Sequence, residues 1–387
     1  MSATGPGTAT YPNNLMNTEG LFESVPNFSE GRRANVISAI AGAAATTSHV
    51  LDVDADPDHH RTVISIAAQR PSLLDALIAA VAAAVEHIDV GAHEGVHPRV
   101  GAADVVPIVP LGGSTLTDAR ELAREVGMRI WSDLQVPVYW YGEQRSLADI
   151  RAGRARPDLG GPDLHPTAGA VCVGARAALV AFNILLPDMD VAEARALARS
   201  LRESEHGTRG VQALVFRLPG GQVQLSMNLF RVDETPPAAV IAELVRRGVN
   251  VGAQQLVGLC PAIATYEMDG KDSIAAGRLL EARLAAAAAR KGAARCRTRG
   301  DEEGLALARR LEAEATKLAG LGVDQLELLG GAERAAALVP VLRVANVLDD
   351  ELEAMLDSAA RGLRAAISSS TRDAYSARFH ALDSRLA

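Results

Sequence analysis

Aromatic side chains are scarce in this sequence, and it has more acidic than basic residues. Phe, Trp and Tyr make up only 3% of the 387 residues, which disfavours nucleic-acid binding on exposed, stacked rings. Asp and Glu outnumber Lys and Arg by 47 to 39, and the resulting net charge of −8 disfavours DNA, RNA and anionic membrane surfaces. We therefore expect no nucleic-acid partner and no membrane partner.

Cysteine is also sparse, and long apolar runs are missing. Cys172, Cys260 and Cys296 are far apart and form no C-x-x-C pair, so they imply neither a disulfide framework nor a cysteine zinc site. The first 20 residues lack the basic and apolar regions of a signal peptide, and a representative apolar run at 76–85 is about half a membrane span long. These features indicate a soluble protein of the cytoplasm.

The sequence is rich in Ala, Leu and Val and has 34 glycines, which suits helices packed closely on a sheet. We predict a flexible tail over 1–20, two α/β subdomains over 21–178 and 179–285, and a helical C-terminal extension over 286–387. The second subdomain has the order β-α-β-β-α-β of a ferredoxin-like sandwich, and the first has the same motif with additions. The predicted fold class is α/β (α+β), with a groove between the two ferredoxin-like-type subdomains.

We predict helices in the first subdomain and in the C-terminal extension. The helix after the strand VVPIVPLG is predicted over Leu116 to Gly127. In the C-terminal extension, amphipathic helices through LALARRLEAEATKLAGL and LDDELEAMLDSAARGLRAAI each have an apolar stripe that must be covered. We expect these helices to dock on the α/β body or to pair across a dimer.

Histidines cluster in two short segments, DVDADPDHHRTV and AHEGVHPRVGAADV. The second contains H-E-x-x-H, which on a helix would place His93 and His97 on one face to bind zinc. Gly95 inside the motif and Pro98 directly after it disfavour that helix, so a loop is the preferred interpretation. In such a loop Arg99, two residues after His97, favours the neutral imidazole that a general base needs.

Six blocks of this chain resemble glutamate formiminotransferase, and they occur in the order found in that family. They are VPNFSEGR (25–32), LDVDADPDHHRTV (51–63), HEGVHPRVGAADVVPIVP (93–110), VPVYWYGE (136–143), GPDLHPTAGAVCVGAR (161–176) and GAQQLVGLCP (252–261). The resemblance covers about 21–275, which is both α/β subdomains. It includes neither the C-terminal helices nor a cyclodeaminase sequence.

The resemblance implies transfer of a formimino group from N-formiminoglutamate to N5 of tetrahydrofolate, which releases glutamate in histidine degradation. It implies His97 of H-P-R as the catalytic histidine, with Asp54 and Arg99 as its companions, and it places Asn27 at the substrate. It implies tetrahydrofolate as co-substrate, no metal, and a homodimer. The implied folate-contacting loop consists of Gly161, Pro162, Asp163, Leu164, His165, Pro166, Thr167, Ala168, Gly169 and Ala170.

The chemistry of the residues agrees with these assignments. When a secondary amine attacks an amidine carbon, one proton must leave the attacking nitrogen and another must reach the departing amine, and a single imidazole near neutrality can move both. Asp54 and Asp52 share a strand face, so the Asp54 carboxylate can orient the imidazole or hold the cationic formimino group. The candidates for binding substrate carboxylates are the guanidinium groups of Arg61, Arg99 and Arg176.

Three other functions stay open from the sequence. A related folate enzyme acting on 5-formyltetrahydrofolate would carry the same blocks around His97. A metallohydrolase would use the HEGVH segment as a zinc site. A noncatalytic folate-binding or scaffolding protein would use the helical extension as its working part.

Overall fold

A computed structural model describes residues 20–95, 98–142, 145–265, 268 and 273–367. In these residues the chain forms one sheet of seven strands, one sheet of four strands, and a set of C-terminal helices. The predicted class, a mixed α/β fold with a helical extension, is confirmed. None of the helices within the described ranges is both long enough and apolar enough to cross a membrane.

The first sheet occupies the N-terminal half of the chain. Its strands are β1 (Leu21–Ser24), β2 (Asn27–Phe28), β3 (His49–Asp56), β4 (Arg61–Gln69), β5 (Ala103–Pro110), β6 (Val138–Trp140) and β7 (Val171–Ala175). The helices between them are α1 (Ala34–Ala44), α2 (Arg70–His87), α3 (Leu116–Leu134) and α4 (Leu147–Arg151), with a short 3₁₀ turn at Val90–Ala92.

The strand order explains the likeness to a ferredoxin-like sandwich. Strands β1 and β2 lie one after the other between β4 and β5, and β3 pairs with the far edge of β4. These pairs are antiparallel, as in a split βαβ arrangement. Strand β7 then pairs parallel to β5, and β6 pairs parallel to β7, which widens the sheet on one side.

Side chains of the first sheet divide between its two faces by simple alternation along each strand. On β4, Ile64, Ile66 and Ala68 are buried in a core shared with α1, α2 and α3. The opposite face takes the residues that alternate with them, which are Arg61, Val63, Ser65 and Ala67. That opposite face is the one available for a site.

The second sheet has the strand order β11-β8-β10-β9, and all of its pairs are antiparallel. This is the order expected for β-α-β-β-α-β. Its core contains Phe182, Leu225 and Met227 packed against α5 and α6. The elements are β8 (Val180–Leu185), α5 (Val191–Leu201), β9 (Val211–Arg217), β10 (Val223–Leu229), α6 (Pro237–Arg246) and β11 (Gln254–Val257).

The C-terminal helices dock on the α/β body. Apolar side chains from them form one core with Leu21, Leu51 and Ala67 on the open face of the first sheet. Glu351 strengthens this contact, since its carboxylate accepts a hydrogen bond from the Gln69 backbone N–H at 3.1 Å and lies 3.2 Å from His49 Nε2. The helices are α7 (Leu280–Arg299), α8 (Glu302–Ala319), α9 (Gln325–Val344) and α10 (Asp350–Ala365).

The predicted boundaries between the subdomains and the extension can be located on the elements of the structure. Helix α7 runs without interruption through position 285, and the link between β7 and β8 covers 176–179. The boundaries at 178/179 and 285/286 stay predictions, as does the tail over 1–20, of which 1–19 lie outside the described residues.

Helix α3 continues seven residues past its predicted end at Gly127, to Leu134. Thr115 and Asp118 form a capping box that starts it, and the helix then passes over Trp140. A Cβ on Gly127 would lie 2.2 Å from the Trp140 ring, so this glycine permits close helix–strand packing and does not end the helix. The sequence pattern shows a glycine but not the ring that faces it.

This packing predicts opposite effects for two helix glycines. We expect Gly127→Ala to destabilise the protein by about 1–3 kcal/mol because the Trp140 ring must move. The matched control is Gly42→Ala in α1, where a Cβ meets nothing within 4 Å. It should stabilise the protein by about 0.5–1 kcal/mol. Urea unfolding measures both, and a Gly127→Ala protein as stable as Gly42→Ala would contradict the packing.

Candidate functional site

The open faces of the two sheets meet, and we call the region between them the groove. On the second sheet the face opposite the core contains the polar residues Asn183 and Gln224. His59, at the tip of the β3–β4 hairpin, crosses to that face: its Nε2 lies 2.9 Å from Gln224 Oε1, and its ring packs edge-on against Phe216. The hairpin therefore joins the two sheets.

Asp54 is the predicted site residue with the clearest role in this junction. It lies on β3 opposite Val63, on the open face of the first sheet. Its Oδ2 accepts a hydrogen bond of 2.9 Å from the backbone N–H of Gly258, directly after β11. The same oxygen forms an ion pair with Arg278. Asp52 lies 3.5 Å from the same guanidinium group. Burial raises the pKa of Asp52, and the charge of Arg278 acts in the opposite direction.

Two predicted arginines, Arg61 and Arg99, converge at the same end of the groove. Both guanidinium groups interact electrostatically with Asp104, a buried carboxylate at the start of β5. Burial lowers the pKa of each guanidinium, and the negative charge of Asp104 acts against that effect. Asp104 also accepts hydrogen bonds of 2.5 Å from the Val100 N–H and from Arg151 of α4.

The segment that contains the predicted catalytic histidine begins beside this cluster. His93 to Gly95 have no helical structure, so the helix that an H-E-x-x-H zinc site requires is absent over these three described residues. His93 Nε2 donates to the His60 carbonyl at 3.1 Å, and Arg99 contacts the His93 ring. His97 lies outside the described residues, so its catalytic role stays a prediction.

His60 contacts this segment, and Glu30 lies next to His60. The centroids of the His60 and His93 rings are 4.0 Å apart with the rings tilted by 35°, and the His60 Nδ1 accepts a hydrogen bond from the Gly31 N–H. Burial, and then the nearby charge of His93, lower the pKa of His60 to about 4. Burial alone would raise the pKa of Glu30, but hydrogen bonds from the Arg33 and Arg32 amides and from the Arg33 side chain lower it. A neutral imidazole therefore packs against an ionised carboxylate.

Asn27 lies on β2 between Val63 and Val105, on the open face close to Asp54. Its side-chain amide donates to the Val25 carbonyl at 3.0 Å, which leaves the amide oxygen directed away from that bond. The structure thus groups Asn27 with Asp54, Arg61 and Arg99.

The predicted folate loop, 161–170, packs against the segment that follows Arg99. The Ala102 N–H donates to the Ala168 carbonyl, and the Ala170 N–H donates to the Val100 carbonyl. Gly101 permits this approach, since a Cβ there would lie 1.9 Å from the Ala170 carbonyl oxygen. Within the loop, Leu164 is exposed and His165 Nδ1 accepts the Ala168 N–H.

Arg176 is the predicted site residue that the structure separates from the others. It follows β7 and lies near Glu23 and Tyr141 at the other end of the sheet. Glu23 pairs with Ala67 whereas Asn27 pairs with Val63, so the two ends are about 13 Å apart along β4 at the usual rise per residue. Arg176 and Arg61 therefore lie at different ends of the groove.

Sequence reasoning missed four residues of the groove: Glu23, Asp104, Gly258 and Arg278. Glu23 and Asp104 could have been noticed as single acids within apolar strand segments. Gly258 and Arg278 carry no local signal, because their partners in β3 are about two hundred residues away in the chain. Within the described ranges, no group of three or more His, Cys, Asp or Glu side chains could hold a metal ion.

Comparisons with known proteins match the part of the chain that forms the groove. Residues 21–176 match the family model of the formiminotransferase domain, N-terminal subdomain. A glutamate formimidoyltransferase of Thermoplasma acidophilum is 35% identical over 302 residues, which cover 69% of this chain and 98% of that protein. Its counterpart from Streptococcus pyogenes serotype M1 is 34% identical over 64% of this chain and 91% of its own length.

A bifunctional relative matches over a smaller share of its length. The formimidoyltransferase-cyclodeaminase of Sus scrofa is 36% identical over 279 residues, which cover 64% of this chain and 51% of that protein. This chain is therefore similar to about half of the bifunctional protein.

The buried acid at the far end of the groove predicts a distinct pH dependence of stability. Glu23 is 5% exposed, and burial raises its pKa from 4.5 to about 7, with Arg176 opposing the rise and Glu281 adding to it. Between pH 4.5 and about pH 7 the folded protein binds more protons than the unfolded chain. The free energy of unfolding therefore falls as the pH rises through this range. Glu23→Gln removes this dependence.

We expect the free energy of unfolding of the unmodified protein to fall from pH 5 to pH 8 by about 2–3 kcal/mol more than that of Glu23→Gln. Urea unfolding at both pH values measures the difference. The matched control, Glu205→Gln at an exposed position, should follow the unmodified protein. Equal pH dependence in Glu23→Gln and the unmodified protein would show that Glu23 titrates as a solvated acid.

Proposed function

The chain belongs to the glutamate formimidoyltransferase family of transferases, and we propose that it moves the formimino group of N-formiminoglutamate to N5 of tetrahydrofolate. Glutamate is the second product, and tetrahydrofolate is a co-substrate. The observation that carries this proposal is the convergence of Asp54, Arg61, Arg99 and Asn27 at one end of the groove. All four lie within the residues that match the family model.

The reaction needs one group that moves protons. N5 attacks the amidine carbon, a tetrahedral intermediate forms, and the bond to the glutamate nitrogen breaks. One proton must leave N5, and one proton must be added to the departing glutamate nitrogen. We assign both transfers to His97, because an imidazole near neutrality can accept one proton and return another.

Charges at the groove support the positions of the two substrates in this proposal. The cationic formimino group suits the carboxylate of Asp54, whose Oδ2 is taken by Gly258 and Arg278 and whose Oδ1 accepts no bond from a described residue. Arg61 and Arg99 suit the carboxylates of formiminoglutamate, since desolvated guanidinium groups form strong paired hydrogen bonds. Tetrahydrofolate would run between the loop at 161–170 and Arg176.

The donor distinguishes this function from its nearest alternative. A folate enzyme acting on 5-formyltetrahydrofolate handles a neutral formyl group, for which the negative charge of Asp54 offers no advantage. Steady-state assays with N-formiminoglutamate plus tetrahydrofolate, and separately with 5-formyltetrahydrofolate, test the choice. We expect 5-formiminotetrahydrofolate to form in the first assay. Turnover of the formyl compound alone would replace the proposal with the alternative.

We predict that His97→Asn lowers kcat by roughly two or more orders of magnitude, the scale on which general acid–base catalysis contributes. The matched control is His206→Asn, an exposed histidine after α5 with a φ of 62°, a conformation that Asn tolerates. The control should keep the activity of the unmodified protein. A folded His97→Asn protein with unchanged kcat would remove His97 from the mechanism.

We also predict that activity survives dialysis against a strong chelator. The non-helical backbone at His93 to Gly95 does not offer the helical pair of imidazoles that a zinc site of this type uses. Loss of activity on dialysis, and its return with stoichiometric Zn²⁺, would favour a metallohydrolase.

A homodimer and a cytoplasmic location are part of the proposed function. Sedimentation measures the oligomeric state.

A further inference from the structure

The Asp54 carboxylate is held by a part of the chain that lies outside the N-terminal subdomain. Arg278 reaches it from the segment just before α7, 224 residues away in sequence. Its Nη2 pairs with Asp54 Oδ2 and lies 3.5 Å from Asp52 Oδ2, and its Nε donates to the Gly258 carbonyl at 3.1 Å. One guanidinium group thus joins β3 to the turn after β11.

The backbone on both sides of this contact is fixed. The Cys260 N–H donates to the Arg278 carbonyl at 2.9 Å, and the Leu280 N–H donates to the Cys260 carbonyl at 3.0 Å. These two bonds form a short parallel bridge between 258–260 and 278–280. The N–H of Gly277 also bonds to Leu321, after α8, so the C-terminal helices help to hold Arg278 in place.

The contacts determine which atom of Asp54 is available. Oδ2 receives two donors, the Gly258 N–H and Arg278, and these set the orientation of the carboxylate plane. Oδ1 is then the oxygen that can face a ligand.

We propose that Arg278 is a positioning residue for Asp54, and that the catalytic end of the groove is therefore completed by the two short segments 258–260 and 278–280. This inference rests on the proposed function, because it assigns Arg278 a role through Asp54. A planar guanidinium bridges Asp54, Asp52 and the Gly258 carbonyl at once, whereas the ammonium of a lysine offers a point charge without that geometry. Arg278 is not expected to contact either substrate.

The first test compares three variants in the formimino-transfer assay. We expect Arg278→Ala to lower kcat/KM roughly 10- to 100-fold, the effect of a small misplacement of a catalytic group. Arg278→Lys should fall between Arg278→Ala and the unmodified protein, and added guanidinium ion should restore part of the activity of Arg278→Ala. The matched control is Arg290→Ala, an exposed arginine within α7, which should keep full activity.

A double-mutant cycle shows whether Arg278 acts through Asp54. If it does, Asp54→Asn combined with Arg278→Ala should have the same kcat/KM as Asp54→Asn alone, because the second change removes nothing further. Independent losses that multiply would overturn the inference, and so would an Arg278→Ala protein with unchanged kcat/KM. If Arg278→Ala does not fold, as judged by thermal unfolding, the same cycle is run with Arg278→Lys.

The outcomes separate the two proposals. An unmodified protein that makes no 5-formiminotetrahydrofolate contradicts the proposed function. An active unmodified protein whose Arg278 and Asp54 losses are independent contradicts only the positioning role.

Discussion

The alternation of side chains along β4 is the constraint on which the rest of the structure depends. Ile64, Ile66 and Ala68 are committed to the helical core, so Arg61, Val63 and Ser65 must point the other way. A shift of β3 by one residue against β4 would turn Asp52 and Asp54 toward that core, where their charges would be buried without partners. The same alternation on β10 places Gln224 opposite its core, and two polar faces therefore meet.

Placing charged groups between these faces is costly, and the structure offsets the cost by pairing them. Asp54 has Arg278 and the Gly258 N–H, and Asp104 has Arg151 and the Val100 N–H. The lower dielectric of this partly desolvated region also strengthens the interaction of each charged group with a ligand, relative to water. Glu23 is the exception, because its carboxylate accepts no hydrogen bond from a described residue and burial raises its pKa to about 7.

Much of the fold could be predicted from the sequence because its signals are local. Periodicity identified the β-α-β-β-α-β order, and the motifs around Asp54 and Arg99 identified the family. Long-range placement could not be predicted. Nothing near Arg278 indicates a partner in β3, and nothing near Gly127 indicates the Trp140 ring that a Cβ would meet. Side-chain chemistry alone groups Arg176 with Arg61, whereas the sheet register separates them.

We infer that ligands bind where the two polar faces meet, and amide hydrogen exchange can detect binding at this position. Exchange would be measured with tetrahydrofolate alone and with N-formiminoglutamate alone, so that no turnover occurs. We expect slower exchange in β3, in 99–104 and in 258–260, with no change on the exposed surface of α9. Protection confined to the C-terminal helices, with the groove unchanged, would contradict the account.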